Sequence, residues 1–382
     1  MYIYISIVFL VSFLYIKKFL RYKLSWDNIS GITSNSEHNF ISIIIACRNE
    51  ENNIEDIILD IFSQKFDNNK FELIIVDDHS DDNTINILNY QKSIYDNLRV
   101  VLLDDSLRGK INAINKGVAE SKGDIIFCTD ADCRLGPNWI TTIQKYFSNS
   151  NTMLAVSPVK NIDDNRLFLK FQSIEMTSLV AASASAISCL KPIFCNGSNL
   201  AFRKSVYQKI TKKEIENFIT DDVSLLFYIH KKYHRAISFV KERDAIIKTK
   251  QPVSIRSYID QRLRWINGFR NESSLNSRYL AAIVVLMNVS LCLTFIFCVV
   301  DLMILDFGDS KIYFSFYILL FIKFFTDVIF LYRPLIFFDN RKLLLYVLPF
   351  QIVYAFYVLV IVTLFFIVKR HSWKDRIINN KL

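Results

Sequence analysis

The sequence lacks the motifs that identify several large classes of protein. It contains no Gly-x-Gly-x-x-Gly and no Gly-x-x-x-x-Gly-Lys-Ser/Thr, which disfavours a Rossmann dehydrogenase and a P-loop nucleotide triphosphatase. Its seven cysteines include no Cys-x-x-Cys pair and their number is odd, so we expect neither a disulfide framework nor a zinc site. The net charge of +9 comes with no recognisable nucleic-acid motif, and we therefore expect no nucleic-acid partner.

Apolar residues are abundant and make up 52% of the 382 residues. They concentrate at the two ends, whereas residues 37–276 alternate polar and apolar residues like a globular domain. Residues 1–20 predict a retained transmembrane anchor, because no basic segment precedes the apolar run and no small-residue cleavage site follows it. Residues 279–368 predict a C-terminal transmembrane region, and residues 369–382 form a basic tail.

The C-terminal transmembrane region allows two topologies, with two or three spans. Its apolar runs lie at 279–300, 312–332 and 343–368, and the second run contains Lys323 and Asp327. These two residues are four apart on a helix and can form an ion pair, either as a structural pair or as a polar feature of an acceptor path. Basic clusters beside the apolar runs favour a cytoplasmic position for the central domain.

Near-continuous runs of Ile and Val predict buried strands in the central domain. We expect strands at 41–46, 71–76, 99–103, 124–129 and 153–159, with helices between the first four. Strands that are apolar throughout are covered on both faces, which is typical of a mostly parallel sheet. The expected fold is a doubly wound α/β domain, in which ligands bind beyond the carboxyl ends of the strands.

Two carboxylates, Asp130 and Asp132, follow the fourth expected strand. Strand side chains alternate between faces, so both acids point the same way. A cation relieves their repulsion, and a metal held by one or two carboxylates usually serves the phosphates of a substrate. A lone Asp-x-Asp can equally be a solvated loop, so this assignment depends on the rest of the chain.

Polar side chains also follow the other expected strands. Arg48 and Glu50 follow the first, Asp77 and Asp78 follow the second, and Lys110 comes after the third. A carboxylate there can accept a hydrogen bond from the N–H of uracil, and Lys110 can reach a base or a diphosphate. Each residue has a structural alternative, such as a solvated surface for Lys110. Their shared position at strand ends nevertheless predicts a nucleotide-sugar site.

Two further motifs lie towards the C-terminus of the central domain. Asp222 closes a Thr-Asp-Asp motif that precedes a helix, and an interfacial helix is expected near 255–270. On that second helix Gln261, Arg264 and Trp265 share one face. An amide, a guanidinium and an indole suit a diphosphate and a sugar ring. The alternative is an interfacial helix with an aromatic anchor.

Taken in order, these motifs resemble those of family 2 glycosyltransferases. That inverting, membrane-attached group includes cellulose, hyaluronan and poly-N-acetylglucosamine synthases and is similar to ceramide glucosyltransferase. The resemblance covers roughly residues 40–269 and implies a GT-A-like nucleotide-binding domain. In the family the Asp222 motif is usually Thr-Glu-Asp, and here Asp221 takes the place of the glutamate while the base position is kept.

The resemblance also implies roles for individual residues. Asp222 would be the general base, and Asp130 and Asp132 would bind Mg²⁺ or Mn²⁺. The donor would be bound by Arg48, Glu50, Asp77, Asp78, Lys110 and also Asp130. The diphosphate and the acceptor would be contacted by Gln261, Arg264 and Trp265.

The function expected from these residues is transfer of a sugar from a nucleotide-diphosphate donor, a UDP-sugar in the first instance, to a lipid, lipid-linked or saccharide acceptor at a membrane. The protein would be an integral membrane protein of the bacterial inner membrane with its catalytic domain in the cytoplasm. Residues 160–191 are candidates for the acceptor side. One alternative is a processive polysaccharide synthase, although three spans are few for a channel without an oligomer or a partner subunit. A non-catalytic membrane protein would not need Asp130, Asp132 and Asp222 together.

Overall fold

The computed structural model describes residues 2–32, 39–211, 221–272, 274–304, 310–367, 370–373 and 376–379. The β-strands are β1 (Ile41–Cys47), β2 (Phe71–Asp77), β3 (Leu98–Leu102), β4 (Ile125–Asp130), β5 (Cys133–Arg134), β6 (Leu154–Val156), β7 (Val159–Asn161), β8 (Asn199–Arg203), β9 (Ile237–Phe239), β10 (Ile247–Thr249), β11 (Arg370–Trp373) and β12 (Arg376–Asn379). The α-helices are α1 (Tyr2–Asp27), α2 (Ile54–Phe62), α3 (Thr84–Lys92), α4 (Lys110–Glu120), α5 (Trp139–Gln144), α6 (Leu167–Ser188), α7 (Lys204–Tyr207), α8 (Asp221–Lys232), α9 (Ile255–Glu272), α10 (Leu275–Ile304), α11 (Ser310–Phe337) and α12 (Leu344–Ile367).

The central sheet has the strand order β3-β2-β1-β4-β8-β6-β9. Strands β1 to β4 are mutually parallel, β8 runs antiparallel to β4 and β6, and β9 is parallel to β6. The predicted doubly wound, mostly parallel α/β fold is therefore confirmed, with β8 as the reversed strand. The carboxyl ends of β1, β2 and β4 lie side by side at one edge of the sheet.

Successive side chains of β1 point to opposite faces of the sheet and therefore join two different apolar cores. Ile43 and Ile45 join an apolar cluster that includes Ile57 of α2. Ile44 belongs to the cluster on the other face of the sheet, which continues into the long apolar helices at Met287. Burial of one such side chain stabilises the fold by about 1.5–3 kcal/mol. The α/β domain and the long helices are therefore joined through a shared core.

The segment expected as one strand at 153–159 is two strands in two sheets. Strand β6 joins the central sheet, whereas β7 joins a small sheet of order β5-β10-β7. The break falls at Ser157 and Pro158, because proline has no backbone N–H to continue a ladder. The Pro158 carbonyl instead accepts hydrogen bonds from the backbone N–H of Ile247 and the Asn199 side chain. The single-strand prediction was wrong for this reason.

Three helices in the described part of the chain are long and apolar enough to cross a membrane. They cover Leu275–Met303, Tyr313–Phe337 and Arg341–Ile367 and correspond to the three expected apolar runs. Helix α1 packs against α6, α10 and α11, so the predicted N-terminal anchor lies beside these candidate spans. Part of the expected basic tail forms the hairpin β11–β12, with β11 packed against α9.

A polar cluster lies among these apolar helices. Lys323 donates to the Asp327 carboxylate at 2.7 Å and to the Gln351 Oε1 at 2.5 Å. The Gln351 amide donates to Asp327 at 2.9 Å, and the Tyr15 hydroxyl donates to Asp327 at 2.5 Å. The predicted Lys323–Asp327 ion pair is confirmed. The pair also has hydrogen-bond partners on α1 and α12, so the polar cluster connects three helices.

Candidate active site

The strand register brings three groups of predicted site residues to one edge of the sheet. Ala46 lies opposite Val76 on one side and opposite Asp130 on the other. Cys47 lies opposite Asp77. The loops that leave β1, β2 and β4 therefore begin next to one another, as expected for a ligand site in a parallel sheet.

Arg48 connects the first two of these loops. Its Nη1 donates to the backbone carbonyls of Asp78 at 3.0 Å and His79 at 2.6 Å. The next residue, Asn49, has φ 53°, a conformation that asparagine tolerates better than most residues. Its side-chain oxygen accepts from the backbone N–H of Asp81 at 3.0 Å. The loops after β1 and β2 thus form one rigid unit.

Asp77, the last residue of β2, and Asp78, the residue after it, are buried and accept hydrogen bonds from the backbone of nearby loops. Asp77 accepts from the Ser80 N–H at 3.0 Å and from its hydroxyl at 2.5 Å. Asp78 accepts from the backbone N–H of Gly109 at 3.0 Å, which fixes the start of α4. Gly109 has φ 91°, which favours glycine there. In this structure the two carboxylates shape the edge where a nucleotide is expected.

Glu50 also makes a local contact. Its carboxylate accepts from the Asn53 side chain at 2.7 Å, and its backbone N–H donates to the Thr84 hydroxyl at 2.8 Å. Asp82 behaves similarly, because it accepts from the Thr84 N–H at 3.0 Å and from the Glu51 N–H at 3.1 Å. Hydrogen bonds of this kind lower the pKa of Asp82, against the effect of its burial. These acids stabilise the starts of α2 and α3.

Lys110 and Asp130 form an ion pair across the edge. The Lys110 Nζ lies 2.7 Å from the Asp130 Oδ1, and both side chains are about a third exposed, at 27% and 35%. Lys110 is the first residue of α4, where the helix dipole favours anions. A cation, a carboxylate and a helix N-terminus therefore meet at a partly exposed position.

Asp130 and Asp132 both lie within electrostatic reach of the Cys133 thiol. Burial raises the pKa of the Cys133 thiol well above its usual value, and the charges of Asp130 and Asp132 raise it further. Within the described residues no group of three or more His, Cys, Asp or Glu side chains could hold a metal alone. Two half-buried carboxylates fit an ion of the Mg²⁺ type, which takes its remaining ligands from water and substrate phosphates.

Asp222 is held at the start of α8 by two backbone amides. Its Oδ2 accepts from the Gly197 N–H at 2.7 Å and its Oδ1 accepts from the Val223 N–H at 2.8 Å. A Cβ on Gly197 would lie 3.0 Å from the same Oδ2, so a larger residue would crowd the carboxylate. Thr220 and the side chain of Asp221, the rest of the predicted motif, lie outside what the structure describes.

Helix α9 places Arg264 in the field of the strand-end acids. Burial lowers the pKa of the Arg264 guanidinium, and the charges of Asp130 and Asp260 oppose this shift. Arg264 therefore lies within electrostatic reach of Asp130, and its predicted role in binding a diphosphate stays a prediction. Gln261 accepts a hydrogen bond from its neighbour Arg262, and Trp265 is exposed.

Arg262 is the residue in this motif that the sequence analysis missed. It is 4% exposed, and its Nε donates at 2.9 Å to Glu175 of α6, which is 8% exposed. The Tyr258 and Tyr357 hydroxyls donate to the two oxygens of the same carboxylate, each at 2.8 Å. The Arg262 guanidinium also lies 4.3 Å from the ring centroid of Trp265. Helices α6, α9 and α12 are thereby joined at one buried carboxylate.

The charges of this cluster stabilise each other. Burial alone lowers the pKa of the Arg262 guanidinium, but the charge and hydrogen bonds of Glu175 more than reverse that effect and raise it. Burial raises the pKa of Tyr258, and the Glu175 charge adds to the shift. A single acid in the otherwise uncharged stretch 171–190 was the available signal for Glu175.

A cavity of about 510 Å³ begins beside these residues and extends between the long helices. Asp222, Trp265, Arg262 and Glu175 line one part of it. The other lining residues are mostly apolar, and most of them come from α1, α6, α10, α11 and α12. The stretch 160–191, expected on the acceptor side, contributes α6 to the wall. A candidate base therefore faces a largely apolar space.

Comparison with known sequences gives a family match and two similar proteins. Residues 42–211 match the family model described as glycosyl transferase family 2. The chain is similar to a poly-beta-1,6-N-acetyl-D-glucosamine synthase of Staphylococcus aureus, with 27% identity over 281 residues, 70% of this chain and 63% of that protein. It is similar to the synthase of the same name from Staphylococcus epidermidis, with 27% identity over 235 residues, 60% of this chain and 54% of that one. The chain thus spans less than two thirds of these relatives.

A solved structure shares the fold. It is the mannosyltransferase PcManGT from Pyrobaculum calidifontis in complex with GDP-Man and Mn²⁺, with a TM-score of 0.55 and 14% identity. The match covers 85% of this chain and 97% of that one. At this identity the likeness concerns the arrangement of helices and strands.

Proposed function

We propose that this chain, whose residues 42–211 match the glycosyl transferase family 2 model, is a glycosyltransferase. It would move one sugar from a nucleotide-diphosphate donor to an acceptor at a membrane, with inversion at the anomeric carbon. A UDP-sugar is the first donor to test. The domain would lie on the cytoplasmic face of a bacterial inner membrane, because basic clusters adjoin the apolar segments and such clusters are typical of cytoplasmic loops.

The donor would bind along the edge formed by β1, β2 and β4. The loops locked by Arg48, Asp77 and Asp78 would form the floor for the nucleoside. Lys110 pairs with Asp130, Arg264 lies within electrostatic reach of the same carboxylate, and both cations would offset the charge of the diphosphate. Asp130 and Asp132 would hold a divalent cation, which supplies charge stabilisation to the leaving group when bound.

Asp222 would act on the acceptor. As the acceptor oxygen forms its bond to the anomeric carbon, its hydroxyl proton passes to the Asp222 carboxylate. The bond between that carbon and the diphosphate oxygen breaks, and the electron pair leaves with the nucleotide. Attack from the opposite face inverts the centre. A positioned base of this kind contributes about 10²–10⁴-fold to the rate.

The observation that carries the proposal is the position of Asp222. It lines the cavity that also borders Trp265, and two backbone amides fix its carboxylate. The test is Asp222→Asn in the purified full-length chain, with release of nucleotide diphosphate measured for several UDP- and GDP-sugars in the presence of Mn²⁺. We expect transfer to fall about 10²–10⁴-fold while nucleotide affinity is unchanged.

Asp96→Asn is the matched control, because Asp96 is exposed. It should retain the activity of the unmodified chain. Full turnover by Asp222→Asn would remove Asp222 from the role of base. Absence of nucleotide release from the unmodified chain with every donor would count against the proposed transfer itself.

A second candidate is a processive polysaccharide synthase. It is favoured by the 27% identity to the staphylococcal synthases. Product length separates the two, because a defined donor would give a polymer in one case and a single added sugar in the other. An oligomer or a partner subunit would then be expected to complete a channel.

A further inference from the structure

The cavity beside Asp222 has walls suited to hydrocarbon. Its lining on α10 and α12 includes Leu280, Val284, Val358 and Ile361. A sugar chain buried there would leave hydroxyls without partners, at roughly 1–3 kcal/mol for each unpaired group. A hydrocarbon chain carries no such penalty.

Polar residues on the wall of the cavity are engaged with one another. Glu175 accepts from Arg262 and two tyrosine hydroxyls. Lys323 is paired with Asp327 at 2.7 Å. Each charged pair is neutral as a unit, so the walls add little net charge to the space.

The length of the lining along α12 fits one long chain. On α12 the lining runs from Val347 to Val362, which corresponds to about 22 Å at 1.5 Å per residue. The same lining includes Asp222 and Trp265. A molecule with its tail between the helices would therefore present its head to the candidate base.

We propose that this cavity holds the tail of a lipid acceptor whose head carries a neutral hydroxyl group, an inference that rests on the proposed glycosyltransferase function. The head group follows from Asp222. A hydroxyl needs a base to take its proton, whereas a phosphate oxygen is already deprotonated and would meet a carboxylate of the same charge. The acceptor hydroxyl oxygen bonds to the anomeric carbon, its proton passes to Asp222, and the nucleotide diphosphate leaves with the electron pair.

The test fills the cavity and leaves the donor edge untouched. Ala281 of α10 lines the cavity, whereas its neighbour Ala282 is exposed. The variants Ala281→Phe and Ala282→Phe therefore place the same side chain inside and outside the space. Ser178→Leu narrows the cavity from α6 and serves as a second variant if Ala281→Phe does not fold.

The full-length chain is placed in phosphatidylcholine vesicles that contain diacylglycerol, a polyprenol or a polyprenyl phosphate, with a water-soluble oligosaccharide as the fourth acceptor. We expect radiolabelled sugar in the organic phase with a hydroxyl-bearing lipid. Ala281→Phe should lower this labelling at least tenfold, Ala282→Phe should stay within twofold, and all variants should bind UDP or GDP as the unmodified chain does.

Equal labelling by the two phenylalanine variants would overturn the inference, as would preference for the polyprenyl phosphate or label confined to the oligosaccharide. In the last case nucleotide release would still support the glycosyltransferase assignment. Loss of release with all four acceptors would instead argue against the proposed function.

Discussion

The buried carboxylate of Glu175 provides the sharpest test of how the membrane helices support the site. Replacing it with glutamine keeps its shape and removes its charge. The Arg262 guanidinium, whose side chain is 5% exposed, would then be buried without a counter-charge. One acceptor oxygen for the tyrosine hydroxyls would also be replaced by an amide donor.

The expected magnitude follows from this burial. Removing one partner of a buried ion pair costs about 3–5 kcal/mol. At about 2 °C per kcal/mol, the lower end of the range for large domains, Glu175→Gln should lower the midpoint of thermal unfolding by roughly 6–10 °C. The Arg243–Asp339 pair, 2.8 Å apart but 56% and 69% exposed, is the control. Asp339→Asn should cost about 1 kcal/mol or less.

Enzyme kinetics distinguish a positioning role of Glu175 from a purely structural role. Arg262 contacts both Gln261 and Trp265, so Glu175→Gln should raise the KM for the acceptor more than the KM for the donor. Both are measured at a temperature below the unfolding transition. If Glu175→Gln unfolds at the same temperature as Asp339→Asn, the reasoning about the buried pair is refuted. Equal changes in the two KM values would refute its role in positioning α9.

Two further predictions concern the strand-end acids. Asp132→Asn should raise the Mn²⁺ concentration needed for half-maximal nucleotide release about tenfold or more, since a charge-assisted contact is worth about 1.5–3 kcal/mol. If Asp132→Asn and the control Asp96→Asn gave the same Mn²⁺ titration curve, Asp132 would be excluded as a metal ligand. Iodoacetamide at pH 8.5 should modify the half-buried Cys189 and leave Cys133 intact, because burial and two neighbouring carboxylates raise the pKa of Cys133 and keep its thiol protonated. Peptide mass spectrometry measures both sites, and equal labelling would contradict that environment.

The strand-end residues could be predicted because their signal is local. Runs of Ile and Val define β1, β2 and β4, and a parallel sheet necessarily brings the residues that follow, such as Arg48, Asp77 and Asp130, to one edge. The i, i+3 and i+4 spacing likewise placed Arg264 on a helix face, and the structure puts it near Asp130. Their roles in binding and catalysis stay predictions.

What the sequence could not supply depends on packing between distant segments. Glu175 and Arg262 are 87 residues apart, and no local pattern indicates that α6 and α9 meet. The same holds for the reversed strand β8, whose sequence resembles a loop entering an apolar stretch, and for the cavity, which exists only between assembled helices. Pro158, in contrast, was a visible sign that 153–159 would not form one strand.

The polar cluster at Lys323 also bears on how the chain is inserted into a bilayer during synthesis. A lysine or aspartate at the centre of a span raises the free energy of membrane insertion by about 2.5–3.5 kcal/mol. Helix α11 alone should therefore insert poorly. Helix α1 is translated before α11 and provides Tyr15 as a partner for Asp327, whereas α12 is translated after α11 and provides Gln351 as a partner for both charges. One stabilising partner is therefore made before the charged helix and one after it. In a nascent chain that lacks α1, we expect α11 to be retained longer at the translocon.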